Sequence, residues 1–312
     1  MASASHRLKR GGRAAVAYYA ARPIGGKRKG VEMTSGEGSV PDGGGTPSAA
    51  GRAAFDTSVA SQARMYDYLL GGKDNYTADR EAVEQALKIW PDMPFTARAN
   101  RAFLGRAVSY FARDAGVRQF LDIGTGIPTA GNTHQVAQAI APESRVVYVD
   151  YDPVVLAHAR ALLTSNAQGA TDYIDADLRD TGVILSRAGQ LLDFTQPVAV
   201  TLIAILNALP DSDDPYGIVA TIMDAVPSGS YLALTHLASD LLAQEAQDGL
   251  GDMQEERMRM RFTSRDRGQV ARFFEGTELV EPGIVRVEEW RQDPAASGAG
   301  RSSLWCGVGR KR

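Results

Sequence analysis

The segment that most constrains this chain is Phe120–Gly126, where an apolar strand runs through an acidic residue into a Gly-x-Gly turn. Gly124 and Gly126 let the backbone turn sharply and approach a ligand closely, because glycine has no Cβ. A helix that begins near Ala130 would point its free N–H groups back toward this turn. The pattern predicts a strand–turn–helix unit at the start of a ligand-binding α/β sheet.

After this turn, short apolar runs alternate with helical segments. The runs are apolar on both faces, which is typical of a parallel sheet covered by helices, and the alternation predicts a doubly wound sheet. The predicted strands are Arg118–Ile123, Arg145–Asp150, Asp172–Asp175, Val198–Ile205 and Tyr231–Thr235. The predicted helices between them lie near Ala130–Ile140, Pro153–Leu163, Thr181–Leu192 and Pro215–Ala225.

The segments on either side of this alternation complete the prediction. Helices are expected at 57–70, 78–90 and 97–115, the last with Thr96 as its N-cap. The polar stretch 237–275 predicts two more helices, and Ile284–Trp290 and Ser303–Val308 predict a hairpin at one sheet edge. The expected fold is α/β and Rossmann-like: a doubly wound, mostly parallel seven-stranded sheet with helices on both faces, an antiparallel strand at one edge and an N-terminal helical extension.

Residues 1–54 differ in composition from the rest. They carry nine Lys or Arg residues against three Asp or Glu residues, and Gly, Ser, Pro and Ala dominate 34–51. This composition predicts a disordered basic tail, or an upstream extension with Met33 as the native first residue. Residues 55–312 would then be the folded domain, with a helical cap over 55–116 and a Rossmann-like core over 117–312.

Bulk properties exclude some classes of protein. No run of 18 uncharged apolar residues occurs, so no transmembrane helix is expected. Because the whole chain has a formal net charge of -3 while its first 54 residues are basic, the folded part is acidic, which disfavours nucleic acid as a partner. Cys306 is the only cysteine, so no internal disulfide forms, and this fits a reducing cytoplasm.

Polar residues follow successive predicted strands where ligands bind in open α/β sheets. Asp150 ends the second strand, 24 residues after Gly126, where a carboxylate can accept hydrogen bonds from two ribose hydroxyls. Asp177 follows the third strand, where an acid can accept from an adenine amino group. Asn207 follows the fourth strand, on the side where a substrate is expected. Together they predict a nucleoside-containing ligand.

The turn itself favours one ligand class over another. A dinucleotide fold needs a third glycine for close helix packing, but this chain has Thr129 there, preceded by Pro128. Asp122, before the first glycine, would repel a pyrophosphate and suits a cationic ligand. The turn therefore favours S-adenosylmethionine over NAD.

Several segments resemble a family of actinobacterial S-adenosyl methyltransferases formerly catalogued as a domain of unknown function, within the class I S-adenosylmethionine-dependent methyltransferases. The resemblance covers roughly 55–310. The segments that carry it are 63–76 (ARMYDYLLGGKDNY), 98–104 (RANRAFL), 120–129 (FLDIGTGIPT), 147–153 (VYVDYDP) and 176–180 (ADLRD).

The resemblance implies a cofactor site at these strand ends. Gly124 and Gly126 would shape the methionine pocket, and Asp122 would hold the amino group, directly or through water. Asp150 would bind the ribose hydroxyls. The remaining implied contacts are Asp177 and Leu178 at the adenine, and Asp152, which either assists Asp150 or caps the next helix.

The acceptor side has no comparable signature. Members of the family often carry His-Phe after the fourth strand, but here the pair is Asn207-Ala208. The candidates to approach the acceptor are Asn207, His236 and Tyr66. The segment Tyr66–Tyr76 is either a lid over the cofactor or a packed helix with its glycine stop.

Other residues carry weaker expectations. Asn100 and Arg101 are expected at a helix surface or cap rather than at a ligand. No metal-ligand spacing occurs. Direct in-line methyl transfer to an unidentified acceptor, a small molecule among the candidates, is the expected reaction. A non-catalytic S-adenosylmethionine-binding regulator and an NAD(P)-dependent oxidoreductase stay open as alternatives.

Overall fold

A computed structural model describes residues 56–162, 165–242, 248, 262–292 and 300–312. The predicted tail, residues 1–54, lies outside the described residues, and so does most of the predicted helical stretch 237–275. The helices are α1 (Gln62–Leu69), α2 (Thr77–Ile89), α3 (Met93–Arg113), α4 (Thr133–Ile140), α5 (Pro153–Leu162), α6 (Thr181–Ala188), α7 (Pro215–Asp224) and α8 (Arg267–Arg272). The strands are β1 (Gln119–Ile123), β2 (Arg145–Asp150), β3 (Ala170–Asp175), β4 (Ala199–Ile203), β5 (Tyr231–Leu237), β6 (Thr277–Leu279), β7 (Val285–Arg286) and β8 (Leu304–Lys311).

The eight strands form one sheet in the order β3-β2-β1-β4-β5-β8-β6, with β7 also paired to β8. Strands β1 to β5 are parallel, and β8 runs antiparallel to β5. The order reverses direction at β1, so β1 and β4 flank the crevice where such sheets bind ligands. Asp150 and Asp175 are register partners, which aligns the ends of β2 and β3. The doubly wound, mostly parallel fold is confirmed.

The antiparallel end of the sheet differs from the predicted hairpin. Strand β8 pairs with β5 on one side and with β6 and β7 on the other, so it is internal. Strand β7 spans only two residues because the chain then turns inward, and Trp290 packs edge-on against Phe103, with ring centroids 5.4 Å apart. Arg106 secures this turn by donating to the carbonyl of Trp290 at 2.8 Å.

Two predicted helix starts are displaced. Helix α3 begins at Met93 after Asp92, so Thr96 lies inside the helix, where its hydroxyl accepts the N–H of Ser303 at 3.4 Å. Helix α4 begins at Thr133 rather than near Ala130, because Gln135 Oε1 accepts the Asn132 N–H at 3.0 Å and fixes the first turn there. The turn after β1 is therefore longer than predicted.

Both sheet faces are covered. One apolar cluster joins Ile184, Ile222 and Phe273 to the sheet, and a second joins Phe103 and Phe111 of α3 to its opposite face. None of the helices in the described ranges is long and apolar enough to cross a membrane.

Candidate cofactor site

The glycine turn is bonded to the end of β2. Gly124 and Gly126 have φ angles of +74° and +66°, a backbone region that favours glycine. The Gly124 N–H donates to the carbonyl of Val149 at 2.8 Å, and the Gly126 N–H donates to Asp150 Oδ2 at 2.9 Å. A Cβ on Gly124 would meet Ile205 Cγ1 at 2.5 Å, whereas a Cβ on Gly126 would meet nothing within 4 Å. The Gly126 side of the turn therefore borders open space.

Asp150 is a half-buried acid at the carboxyl end of β2. Its Oδ1 accepts the N–H groups of Tyr151 at 2.8 Å and Asp152 at 3.0 Å, in addition to the Gly126 bond to Oδ2. Burial raises the pKa of Asp150 to about 6; the Asp152 carboxylate adds to the rise, and the three N–H groups oppose it. Each carboxylate oxygen has two acceptor positions, so Asp150 can accept further hydrogen bonds from a ligand.

Asp122 lies under the turn rather than beside open space. Its carboxylate is 4% exposed, and it accepts the hydroxyl of Thr133 at 2.6 Å and that of Thr201 at 2.7 Å. Burial raises its pKa, while the two hydroxyls lower it. Asp122 thus joins β1 to β4 and to the first turn of α4. Of the two routes expected from the sequence, this placement favours an indirect contact with a ligand.

Asp152 caps a helix and anchors the N-terminal segment. Its Oδ1 accepts the Val154 N–H at 2.8 Å in the first turn of α5, and its Oδ2 accepts the Ser61 hydroxyl at 2.8 Å. Of its two expected roles, the structure shows the cap.

Asp177 and Leu178 follow β3. Asp177 accepts the Arg179 backbone N–H at 2.9 Å and Arg179 Nη1 at 2.7 Å, and Arg179 Nε also donates to Asp213 at 2.8 Å. This bridge ties the end of β3 to the segment after β4. The Leu178 side chain is 5% exposed and belongs to the apolar cluster that contains Ile184.

His236 does not face an acceptor. Its side chain is fully buried, and its Nε2 accepts from Arg265 Nη1 at 2.7 Å. Burial lowers its pKa to about 4, so the ring is neutral at pH 7. Arg265 also donates to the Leu209 carbonyl at 3.1 Å and to Asp211 Oδ1 at 2.6 Å. The ring therefore supports the segment after β4 through Arg265, and no face of it is open to a ligand in this structure.

Asn207 follows β4, and Tyr66 lies on α1. Asn207 is 6% exposed, and its buried Oδ1 has no hydrogen-bond partner in the described part of the chain. The Tyr66 hydroxyl donates to the Ala97 carbonyl at 3.0 Å and accepts from Asn100 Nδ2 at 3.0 Å. Burial raises the Tyr66 pKa, so this phenol is a hydrogen-bonded neutral group.

The start of helix α1 contacts the carboxyl edge of the sheet. Ser61, immediately before it, bonds to Asp152 after β2, and Gln62 Nε2 donates to the Ala204 carbonyl after β4 at 3.1 Å. The glycine turn after β1 lies between these two strands in the sheet order. The two roles expected of Tyr66–Tyr76, a lid over the cofactor and a packed helix with its glycine stop, both stay predictions.

Arg101, expected at a helix surface or cap, contacts the turn after β1. It is half-buried on α3, and its Nη2 donates to Asn132 Oδ1 at 2.8 Å and to the Ala130 carbonyl at 3.3 Å, both in the turn after β1. A positive charge therefore contacts the glycine turn from the cap. In the sequence, only the resemblance of segment 98–104 to the methyltransferase family points to Arg101, because it is the fold that brings α3 to this turn.

The available groups fit S-adenosylmethionine. Asp150 offers oxygens for hydroxyls, open space borders Gly126, and an acid follows β3. Among the described residues, no group of three or more His, Cys, Asp or Glu side chains could hold a metal ion.

Comparison with known families decides between the ligand classes. The model of the S-adenosyl methyltransferase family matches residues 48–312. The chain belongs to this family. It is therefore an S-adenosylmethionine-dependent methyltransferase, and the oxidoreductase and non-catalytic alternatives are set aside. No curated protein matches the chain.

Two solved structures are similar over nearly their whole length. A DUF574 family protein from Streptomyces avermitilis is 45% identical with a TM-score of 0.79, covering 82% of this chain and 99% of that one. A protein from Thermobifida fusca, proposed to be a methyltransferase, is 40% identical with a TM-score of 0.74, covering 82% of this chain and 97% of that one. Both come from actinobacteria, as the resemblance implied.

Proposed function

We propose that the carboxyl edge of β1 to β3 binds S-adenosylmethionine with the ribose on Asp150. The observation that carries this assignment is the bond between Asp150 and the Gly126 N–H, which places an acceptor-rich carboxylate beside the open side of the glycine turn. Asp177 accepts from the adenine amino group with the lone pairs that Arg179 leaves available. Gly124 and Gly126 border the methionine part.

Asp122, Asp152 and Leu178 act indirectly in this proposal. Asp122 holds the turn through Thr133 and Thr201, and contacts the amino group through water. Asp152 holds the α1 segment through Ser61. Leu178 supports the adenine edge from within the core, because its side chain is buried. The cofactor supplies an activated methyl group, and these residues orient it for in-line transfer.

The proposed acceptor is a small molecule, and the proposed compartment is the cytoplasm. Ser61 and Gln62 hold the start of α1 at the carboxyl edge, which limits the space beside the strand ends and favours a small acceptor. A buried free thiol, Cys306, suits a reducing compartment. Asn207 and Tyr66 are the candidate acceptor-side groups; neither is placed as a general base.

The experiment has two stages. Isothermal titration with S-adenosylhomocysteine tests the site, and absence of binding at millimolar ligand would overturn it. S-adenosylmethionine with a tritiated methyl group, incubated with separated small-molecule, protein and RNA fractions of a cell lysate, then tests the acceptor class. We expect label in the small-molecule fraction; transfer only to protein or RNA would refute the acceptor proposal while leaving the cofactor site intact.

A further inference from the structure

The guanidinium of Arg101 is only partly used by the protein. Its Nη2 bonds to Asn132 and to the Ala130 carbonyl, but its Nε is buried and has no hydrogen-bond partner in the described structure. No carboxylate of the described residues lies within ion-pair distance of it. Arg64 and Arg265, which are more deeply buried than Arg101, each pair with an acid.

Among the described residues, no direct ion pair offsets the partial burial of this guanidinium. Removing a charge from water is unfavourable by several kcal/mol unless an opposite charge and hydrogen bonds compensate. Both hydrogen bonds to these neutral oxygens use Nη2, so Nη1 is the donor left for a ligand, while the enclosed Nε stays unpaired in the described structure. A partly buried arginine with free donors beside a ligand-binding turn is the arrangement expected where an anionic ligand group completes the pair.

The effect of Arg101 on three neighbouring titratable groups indicates where its guanidinium lies. Arg101 lowers the pKa of Asp122, Tyr66 and Tyr148, in each case against a larger upward effect of burial. The guanidinium therefore lies where the end of β1, the cap helix α1 and β2 come together. That is the methionine side of the proposed site, because Asp122 immediately precedes the glycine turn.

S-adenosylmethionine has one anionic group. Its sulfonium and ammonium are positive, its adenine and ribose are neutral, and only the carboxylate of its methionine part is negative. We propose that Arg101 binds this carboxylate and thereby selects ligands that retain an amino-acid end. This inference rests on the cofactor site proposed above.

The test compares two ligands that differ only at this group. S-adenosylhomocysteine carries the carboxylate, and S-adenosyl-3-thiopropylamine lacks it. Charged hydrogen bonds predict that the wild-type protein prefers S-adenosylhomocysteine by roughly 10- to 150-fold in Kd. Arg101→Gln keeps a donor for Asn132; we expect it to lose that preference, with the decarboxylated ligand changing less than about threefold. Arg101→Lys should retain part of it.

A matched control removes a charge from the same helix. Arg113 is exposed at the C-terminal end of α3, and Arg113→Gln should change neither Kd. If Arg101→Gln weakened the binding of both ligands equally, the inference would be overturned and Arg101 would be assigned to support of the turn. An unchanged preference for S-adenosylhomocysteine would also overturn the inference. Failure of the wild-type protein to bind either ligand would overturn the cofactor site itself, which distinguishes the two proposals.

Discussion

Replacement of Asp150 by asparagine tests the cofactor assignment most directly. Oδ1 of Asp150 accepts two N–H groups and Oδ2 accepts one, from Gly126. The amide oxygen of the variant is therefore expected at the Oδ1 position. Its NH2 group would then face the Gly126 N–H, where two donors oppose each other. The variant loses the anchor of the turn and the negative charge offered to the ribose.

The size of the effect follows from these contacts. A hydrogen bond to a charged group contributes about 1.5–3 kcal/mol, and a ribose diol can form two of them with Asp150. The amide oxygen of the variant still accepts one weaker hydrogen bond. We therefore expect the binding free energy for S-adenosylhomocysteine to fall by about 2–4 kcal/mol, which is roughly a 30- to 700-fold increase in Kd.

Calorimetric titration with S-adenosylhomocysteine measures this change. The control is Asp224→Asn, an exposed acid at the end of α7, which should leave the Kd unchanged. Circular dichroism and the thermal midpoint establish that each variant is folded. An increase of less than about threefold in a folded Asp150→Asn protein would refute the ribose assignment, since charged hydrogen bonds contribute more than that.

Three further predictions concern pH, the turn and the cap. Ribose hydroxyls favour ionised Asp150, whose pKa is about 6, so the Kd for S-adenosylhomocysteine should rise about tenfold from pH 7 to pH 5; an equal rise in Asp150→Asn would contradict this cause. Gly124→Ala should destabilise the protein by more than about 2 kcal/mol, because its Cβ would meet the segment after β4 at 2.5 Å. Gly126→Ala, with open space around the new Cβ, should lower the free energy of unfolding by about 1 kcal/mol and also weaken cofactor binding. Equal thermal midpoints for the Gly124→Ala and Gly126→Ala proteins would refute this distinction. Asp79→Asn should lower the free energy of opening α1 and α2 by about 3–5 kcal/mol, because Arg64 would be left buried without its carboxylate. Amide hydrogen exchange of the two helices measures this free energy, and unchanged protection would count against the prediction.

The antiparallel edge of the sheet shows where local patterns fail. Ile284–Trp290 has the composition of a strand, but only Val285 and Arg286 pair with β8. Beyond them, burial of Trp290 against Phe103 outweighs continued strand pairing. Strand β6 is three residues long, and its composition alone gives no clear signal. Short edge strands depend on their neighbours, so their existence is decided by tertiary packing.

At the site, too, local sequence predicts the positions of residues, and tertiary packing decides the roles of their side chains. The sequence by itself determined the parallel sheet, the glycine turn and the acids at the carboxyl ends of β1, β2 and β3, because residue period, glycine and strand-end position are local properties. Only the tertiary structure decided that Asp122 is enclosed by two threonines, that His236 is buried against Arg265, and that Arg101 reaches the glycine turn from α3. These contacts join residues distant in the sequence, and whether a polar group meets a ligand or another side chain depends on which elements the fold brings beside it.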